Sequence, residues 1–128
     1  CFDTWDGMTE DDPLCHHRPG EWKADLGKFK AVMGSSANLQ FHQGVFPGTA
    51  AGLEDCKFAV AYCDLDTYQS TLDALRWFWP RLEKGGRLVI DDTPGWTPCA
   101  GTEKAVKEFF APEQIMEFPE VYATVVTK

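Results

Sequence analysis

The sequence is short of positive charge. Its 128 residues include 12 lysines and arginines against 20 aspartates and glutamates, a formal net charge of -8. No basic stripe with interleaved aromatics runs through it. Such a surface repels a phosphate backbone, so nucleic acid is not an expected partner, while a cation is a natural one wherever the carboxylates gather. A transmembrane-length apolar run and a signal peptide are also missing, so no membrane partner is expected and the chain reads as cytoplasmic. There is no CxxC. The five cysteines (Cys1, Cys15, Cys56, Cys63 and Cys99) are odd in number and irregularly spaced, which points to neither a disulfide framework nor a zinc knuckle. Nor is there an initiating methionine: the chain opens at Cys1 and enters an apolar stretch at once, which reads as a truncated or partly sequenced gene.

What is present suits one folded domain spanning residues 1–128. Hydrophobic residues make up 44% of the chain, with 5 Trp and 9 Phe, enough for a sizeable core. No internal repeat or low-complexity segment interrupts it.

The elements alternate. Cys1 to Trp5 reads as the tail of a strand, followed by a polar loop through about Gly20. Trp22, Leu26, Phe29 and Met33 recur at helical spacing from Glu21 to Met33, with Gly34 as a stop. Asn38 to Val45 reads as a strand, Phe46 to Gly52 as a loop with a short helical turn, and Lys57 to Cys63 as a further strand. Tyr68 to Glu83 carries Leu72, Leu75, Trp79 and Leu82 on one face; Pro80 kinks that helix, and Gly85 and Gly86 end it. Arg87 to Ile90 is a strand, Thr102 to Phe110 a helix, and Ile115 to Phe118 with Tyr122 to Thr127 a terminal strand pair around Pro119. Strands alternating with helices imply βαβ units, and hence an α/β fold with a mostly parallel sheet, flanking helices and a C-terminal antiparallel pair.

The sharpest feature is a pair of strand ends. In AYCDLDTY an apolar run ends at Asp64 and Asp66, and in LVIDDTPG the next ends at Asp91 and Asp92. Consecutive parallel strands of a βαβ unit lie side by side with their C-terminal ends on one edge, where open α/β sheets bind ligands. Three or four carboxylates then converge. Two such charges 4 Å apart repel by about 4 kcal/mol at an effective dielectric of 20. Some must therefore take up protons, or a hard divalent cation must join them. Oxygen donors without His or Cys favour Mg²⁺ or Ca²⁺ over zinc. A single Asp at a strand end more often caps the next helix, a role open to Asp66 or Thr67 ahead of Tyr68. For the doublet facing Asp64, metal binding is the favoured reading.

Two chemistries fit. DLDTY approaches the nucleophile motif of a haloacid-dehalogenase-type Mg-dependent phosphatase, with Asp64 as nucleophile and Asp66 as acid/base. Only one helix separates the two acidic motifs, however, and Tyr68 stands where that family has Thr or Val.

The second chemistry is methyl transfer. FDTWDGM (2–8), GVFPGT (44–49), GLED (52–55), CDLDTYQSTLDAL (63–75), WPRLEKGGRLVIDD (79–92) and CAGTEKAVKEFF (99–110) together resemble the macrocin O-methyltransferase (TylF-like) family of class I methyltransferases. The resemblance implies a Rossmann-like sheet, S-adenosylmethionine as cofactor, Mg²⁺ or another divalent cation, and a hydroxylated small-molecule acceptor such as a sugar or natural product. It implies Asp64, Asp91 and Asp92 as metal ligands, with Asp64 and Asp66 as catalytic acids. It places Asp3 at the cofactor ribose and Gln43, Gly44 and Phe46 at the adenine pocket. It also exposes a departure, because the family's first strand and glycine-rich loop have no counterpart here and the chain matches the C-terminal two-thirds of such a domain. That strand is central, so the gap is expected to close by direct pairing of its neighbours or by a second copy of the chain. A fragment without catalysis, acting as a binding module, is the competing reading.

Among the remaining residues, His16 and His17 beside Cys15 invite a metal reading, but neighbouring histidines cannot easily chelate one ion, and a solvated loop is expected. Trp77, Phe78 and Trp79 read as packing; Trp96, in the Pro/Gly loop after Asp92, reads as packing or as the wall of an acceptor pocket, with packing slightly preferred.

Overall fold

The computed structural model describes residues 1–34 and 38–128. Strand β1 (Phe2–Asp3) pairs in parallel with β2 (His42–Gln43), and helix α1 (Leu26–Met33) lies between them in sequence. Both strands are far shorter than the apolar stretches around them suggest. Helix α1 starts later than the periodicity predicts, because Asp25 caps it by accepting from the Lys28 N–H at 2.9 Å. Trp22 is left outside the helix with φ +61°.

The rest of the chain builds a second sheet from β3 (Phe58–Cys63), β4 (Leu82–Ile90), β5 (Ile115–Phe118) and β6 (Ala123–Thr127), in the order β3-β4-β6-β5. β3 and β4 are parallel, while β6 runs antiparallel to both β4 and β5. The fold class is α/β, with mixed sheets. β4 begins five residues earlier than expected. The helix before it, α2 (Tyr68–Phe78), ends ahead of Pro80, which occupies a single 3₁₀ turn over Trp79–Arg81. Gly85 and Gly86 therefore lie within β4 rather than ending a helix. A register shift between Phe58↔Leu82 and Val60↔Arg87 absorbs them. Only glycine fits at 86, since a Cβ there would stand 2.8 Å from the Glu83 carbonyl oxygen.

Helix α2 and α3 (Ala100–Phe109) pack together over one face of this sheet. Leu75 and Phe78 of α2, with Val106 of α3 and Phe110 just beyond it, meet Ala61, Cys63, Leu88, Ile90 and Val126 in one core. Gly101 permits the helices' close approach at their N-termini, where a Cβ would lie 2.7 Å from the Tyr68 backbone nitrogen. The opposite face carries Tyr62, Val89, Val125 and Met116 in register across four strands. Among the described residues no helix covers it, and Tyr62 and Met116 are 61% and 59% exposed.

The expected closure of the sheet by direct pairing of β1 with β3 does not occur, and the two sheets stay separate. Side chains join them instead: Phe2 and Phe58 both pack against Trp77 and Phe78, with Phe46 stacked on Phe78 at 5.3 Å. A two-residue strand offers little backbone to pair, so aromatic contact is the stronger link. β3 is left as an edge strand. Among the described residues no helix is long and apolar enough to cross a membrane.

Candidate active site

The C-terminal ends of β1, β3 and β4 open onto one cleft of about 470 Å³. Asp3, Gly44, Phe46, Asp64, Asp66, Asp91 and Asp92 all line it, whereas Gln43 is exposed and takes no part in its wall. Among the described residues no lysine or arginine lines the cleft. A phosphatase active site would lack the cationic side chain that stabilises a phosphoryl oxyanion.

Two of the acids adopt an uncommon backbone. Asp66 has φ +60° and Asp92 φ +59°, the left-handed region that Asp tolerates better than most residues. These turns end β3 and β4 and swing the carboxylates inward, so that oxygens of Asp64, Asp66 and Asp92 lie within 4.8 Å of one another. Asp91 is not part of that trio. Its Oδ2 accepts a 2.7 Å hydrogen bond from the Tyr62 hydroxyl on the uncovered side of the sheet.

Crowding perturbs the acids as electrostatics requires. Loss of surrounding water, followed by repulsion from Asp66, Asp91 and Asp3, pushes Asp64 up to about 6. Asp92 rises to about 7 through loss of water, a hydrogen bond shared with Asp66 and repulsion from Asp66 and Asp64. Both changes express the same need for a proton or a cation. Three oxygen donors so arranged fit a hard divalent ion such as Mg²⁺. Asp3 fits a polar contact at the opposite wall, where the Trp5 N–H holds its Oδ1 at 2.6 Å. With Phe2 and Phe46 nearby, that wall suits a nucleoside. Among the described residues no glycine-rich strand-to-helix turn is present to cradle the remainder of S-adenosylmethionine.

Several participants escape sequence reading. Neither Asp66 nor Thr67 caps α2 with its side chain. That cap is the buried Asp12, whose Oδ2 accepts from the Tyr68 N–H at 2.7 Å across 56 residues of sequence, while its Oδ1 accepts from the Leu14 N–H at 2.8 Å. Glu10 accepts from the hydroxyls of Thr67 and Ser70 and lines the cleft. The Cys15–His17 loop is not simply solvated, because Cys15 is buried in an antiparallel bridge with Cys99 and the His16 N–H donates to the Pro98 carbonyl at 2.8 Å. An acid three residues after a turn residue is too common a signal to have singled out Glu10 or Asp12.

An acidic cleft at the C-terminal edge of an open α/β sheet marks a ligand-binding α/β protein. Residues 27–121 match the macrocin-O-methyltransferase (TylF) family. The chain belongs to that family. Over 54 residues it is 43% identical to 8-demethyl-8-(2,3-dimethoxy-alpha-L-rhamnosyl)-tetracenomycin-C 4'-O-methyltransferase of Streptomyces olivaceus, covering 42% of this chain and 21% of that protein. Its fold is similar to the O-methyltransferase NovP, with TM-score 0.76, 19% identity and coverage of 99% of this chain and 58% of that one. It is also similar to the calicheamicin methyltransferase CalS11, with TM-score 0.79, 18% identity and coverage of 98% and 58%. The chain thus spans little more than half the length of these solved relatives and about a fifth of the curated one.

Proposed function

We propose that this chain is the metal- and acceptor-binding portion of an S-adenosylmethionine-dependent O-methyltransferase, assisted by a divalent cation and acting on a hydroxyl of a sugar-bearing small molecule. The convergence of Asp64, Asp66 and Asp92 in the cleft carries this reading. The tetracenomycin relative, whose name specifies O-methylation of a rhamnosyl compound, supports the class of acceptor.

A hydroxyl is a weak nucleophile while it keeps its proton. Bound Mg²⁺ would lower the acceptor's pKa, and bound S-adenosylmethionine would supply an activated methyl group. Asp64, Asp66 and Asp92 would hold the cation. Without the cation, burial and mutual repulsion raise Asp64 to about 6 and Asp92 to about 7, and a bound cation would remove that demand for protons. Asp3 would accept a hydrogen bond from a ribose hydroxyl, with Phe46 and Gly44 flanking the base. Phe2, Phe46 and Trp96 supply apolar wall that excludes water and aligns the acceptor.

The free edge of β3 belongs to the same reading. Among the described residues β3 has a strand partner on one side only, and unpaired strand edges recruit strands. A second copy of the chain would supply the missing pairing, and sedimentation showing only monomer at micromolar concentration would overturn this part.

The deciding experiment is calorimetric titration with Mg²⁺ and then with S-adenosylmethionine. Saturable Mg²⁺ binding that Asp92→Asn weakens by about tenfold or more is expected. A folded Asp92→Asn variant with unchanged Mg²⁺ affinity would refute the metal assignment. Mg²⁺ binding without cofactor binding would favour a non-catalytic binding module.

A further inference from the structure

We infer that His17, Asp66 and Cys99 form a second cation site, selective for a thiophilic divalent ion of the zinc type and sharing Asp66 with the carboxylate trio. Ligand atoms of the three residues lie within 4.8 Å of one another, and Cys99 Sγ stands 3.3 Å from Asp66 Oδ1. Around tetrahedral zinc with bonds of about 2.0 to 2.3 Å, neighbouring donors sit roughly 3.3 to 3.8 Å apart. The Cys–Asp pair already has that spacing, and a small movement of the His17 ring completes the set.

Each ligand is held from a different direction. Cys99 is fully buried immediately before α3. Cys15, 2% exposed, bridges it through the backbone and places a second sulfur 3.9 Å from its Sγ. The bridge anchors the segment that carries His17. The imidazole is only partly exposed, with Nδ1 3.5 Å from Glu21 Oε2 and the ring edge-on to Trp22 at 5.3 Å. A carboxylate beside a ligand histidine fixes the orientation of its ring. His17 and Asp66 face the cleft, so a fourth coordination position opens toward solvent or ligand.

The two donor sets select different ions. Sulfur and imidazole favour zinc, while the oxygen trio favours Mg²⁺. Because both need Asp66, each ion weakens the other, and the effect is reciprocal. The inference does not depend on methyl transfer, since His17 and Cys99 lie outside the trio.

The test is cobalt titration of the whole chain with the exposed Cys1 and Cys56 replaced by serine. A tetrahedral Co²⁺ spectrum with a thiolate charge-transfer band is expected at one equivalent, displaced by Zn²⁺, while saturating Mg²⁺ lowers the Co²⁺ affinity by the same factor by which Co²⁺ lowers that of Mg²⁺. Cys99→Ser should abolish the band. His17→Ala, which removes only a partly exposed side chain, should weaken Co²⁺ binding by about tenfold or more while leaving the circular dichroism and Mg²⁺ affinity unchanged. Co²⁺ bound without a thiolate band, or bound equally by folded His17→Ala, overturns the site, as does Zn²⁺ that leaves Mg²⁺ affinity untouched.

Discussion

The two faces of the four-stranded sheet are built from similar residues and meet different fates. Ala61, Cys63, Leu88, Ile90 and Val126 point beneath α2 and α3 and are buried. Tyr62, Val89, Val125 and Met116 alternate with them and, among the described residues, have no helix above. Apolar character on both sides of a strand is the pattern of a fully buried parallel strand. Here the pattern records which residues tolerate burial, and only the supply of helices determines which are buried.

The largest effect should come from breaking the covered face. Leu88→Ala removes a side chain with no exposure and should cost about 2 to 5 kcal/mol by denaturant unfolding. A loss below about 1 kcal/mol would mean that α2 and α3 do not seal this face. Gly101→Ala attacks the helix cover itself, since the added methyl collides with the Tyr68 nitrogen and with Asp12 Oδ2 at 2.9 Å. About 1 to 3 kcal/mol is expected. Asp12→Ala, which leaves the α2 N-terminus uncapped, should fall near 1 to 2 kcal/mol.

At the strand ends, where the faces meet, the measurement is melting temperature against pH in the presence of a chelator. Asp64 and Asp92 have folded values of about 6 and about 7, above the unfolded value of about 4. The folded chain therefore binds protons more tightly. The resulting stabilisation is complete below about pH 4 and is lost as pH rises through about 6 to 7. Asp92→Asn should flatten that decline; an unchanged slope between pH 5 and 7 would show that the carboxylates do not converge. The smallest effect belongs to the open face. Val89→Thr should change stability by no more than about 0.5 kcal/mol if the face stays bare. A loss of more than 1 kcal/mol that grows with protein concentration would instead reveal a partner covering it.

Local pattern made much of this legible. The apolar run before Asp64, the run before Asp91, and the 3.6-residue spacing of Leu72 and Leu75 locate β3, the end of β4 and α2. The spacing misplaces the end of α2 because Trp79 and Leu82 continue the period while Pro80 forces a tight turn. It also overextends β1 and β2, which among the described residues pair only with each other and only over two residues.

The sequence by itself determined that acids would end two adjacent parallel strands, because a βαβ unit sets neighbouring strands in one direction and chain order sets which residues come after them. Tertiary structure alone decided which acids meet. Left-handed turns at Asp66 and Asp92 bring those carboxylates toward Asp64, while Tyr62, reaching along the bare face, draws Asp91 away. It decided too that Asp12 caps a helix 56 residues distant and that Cys15 lies against Cys99 across 84 residues. Such contacts depend on how a polar loop closes over the strand ends, and neither propensity nor spacing encodes that closure.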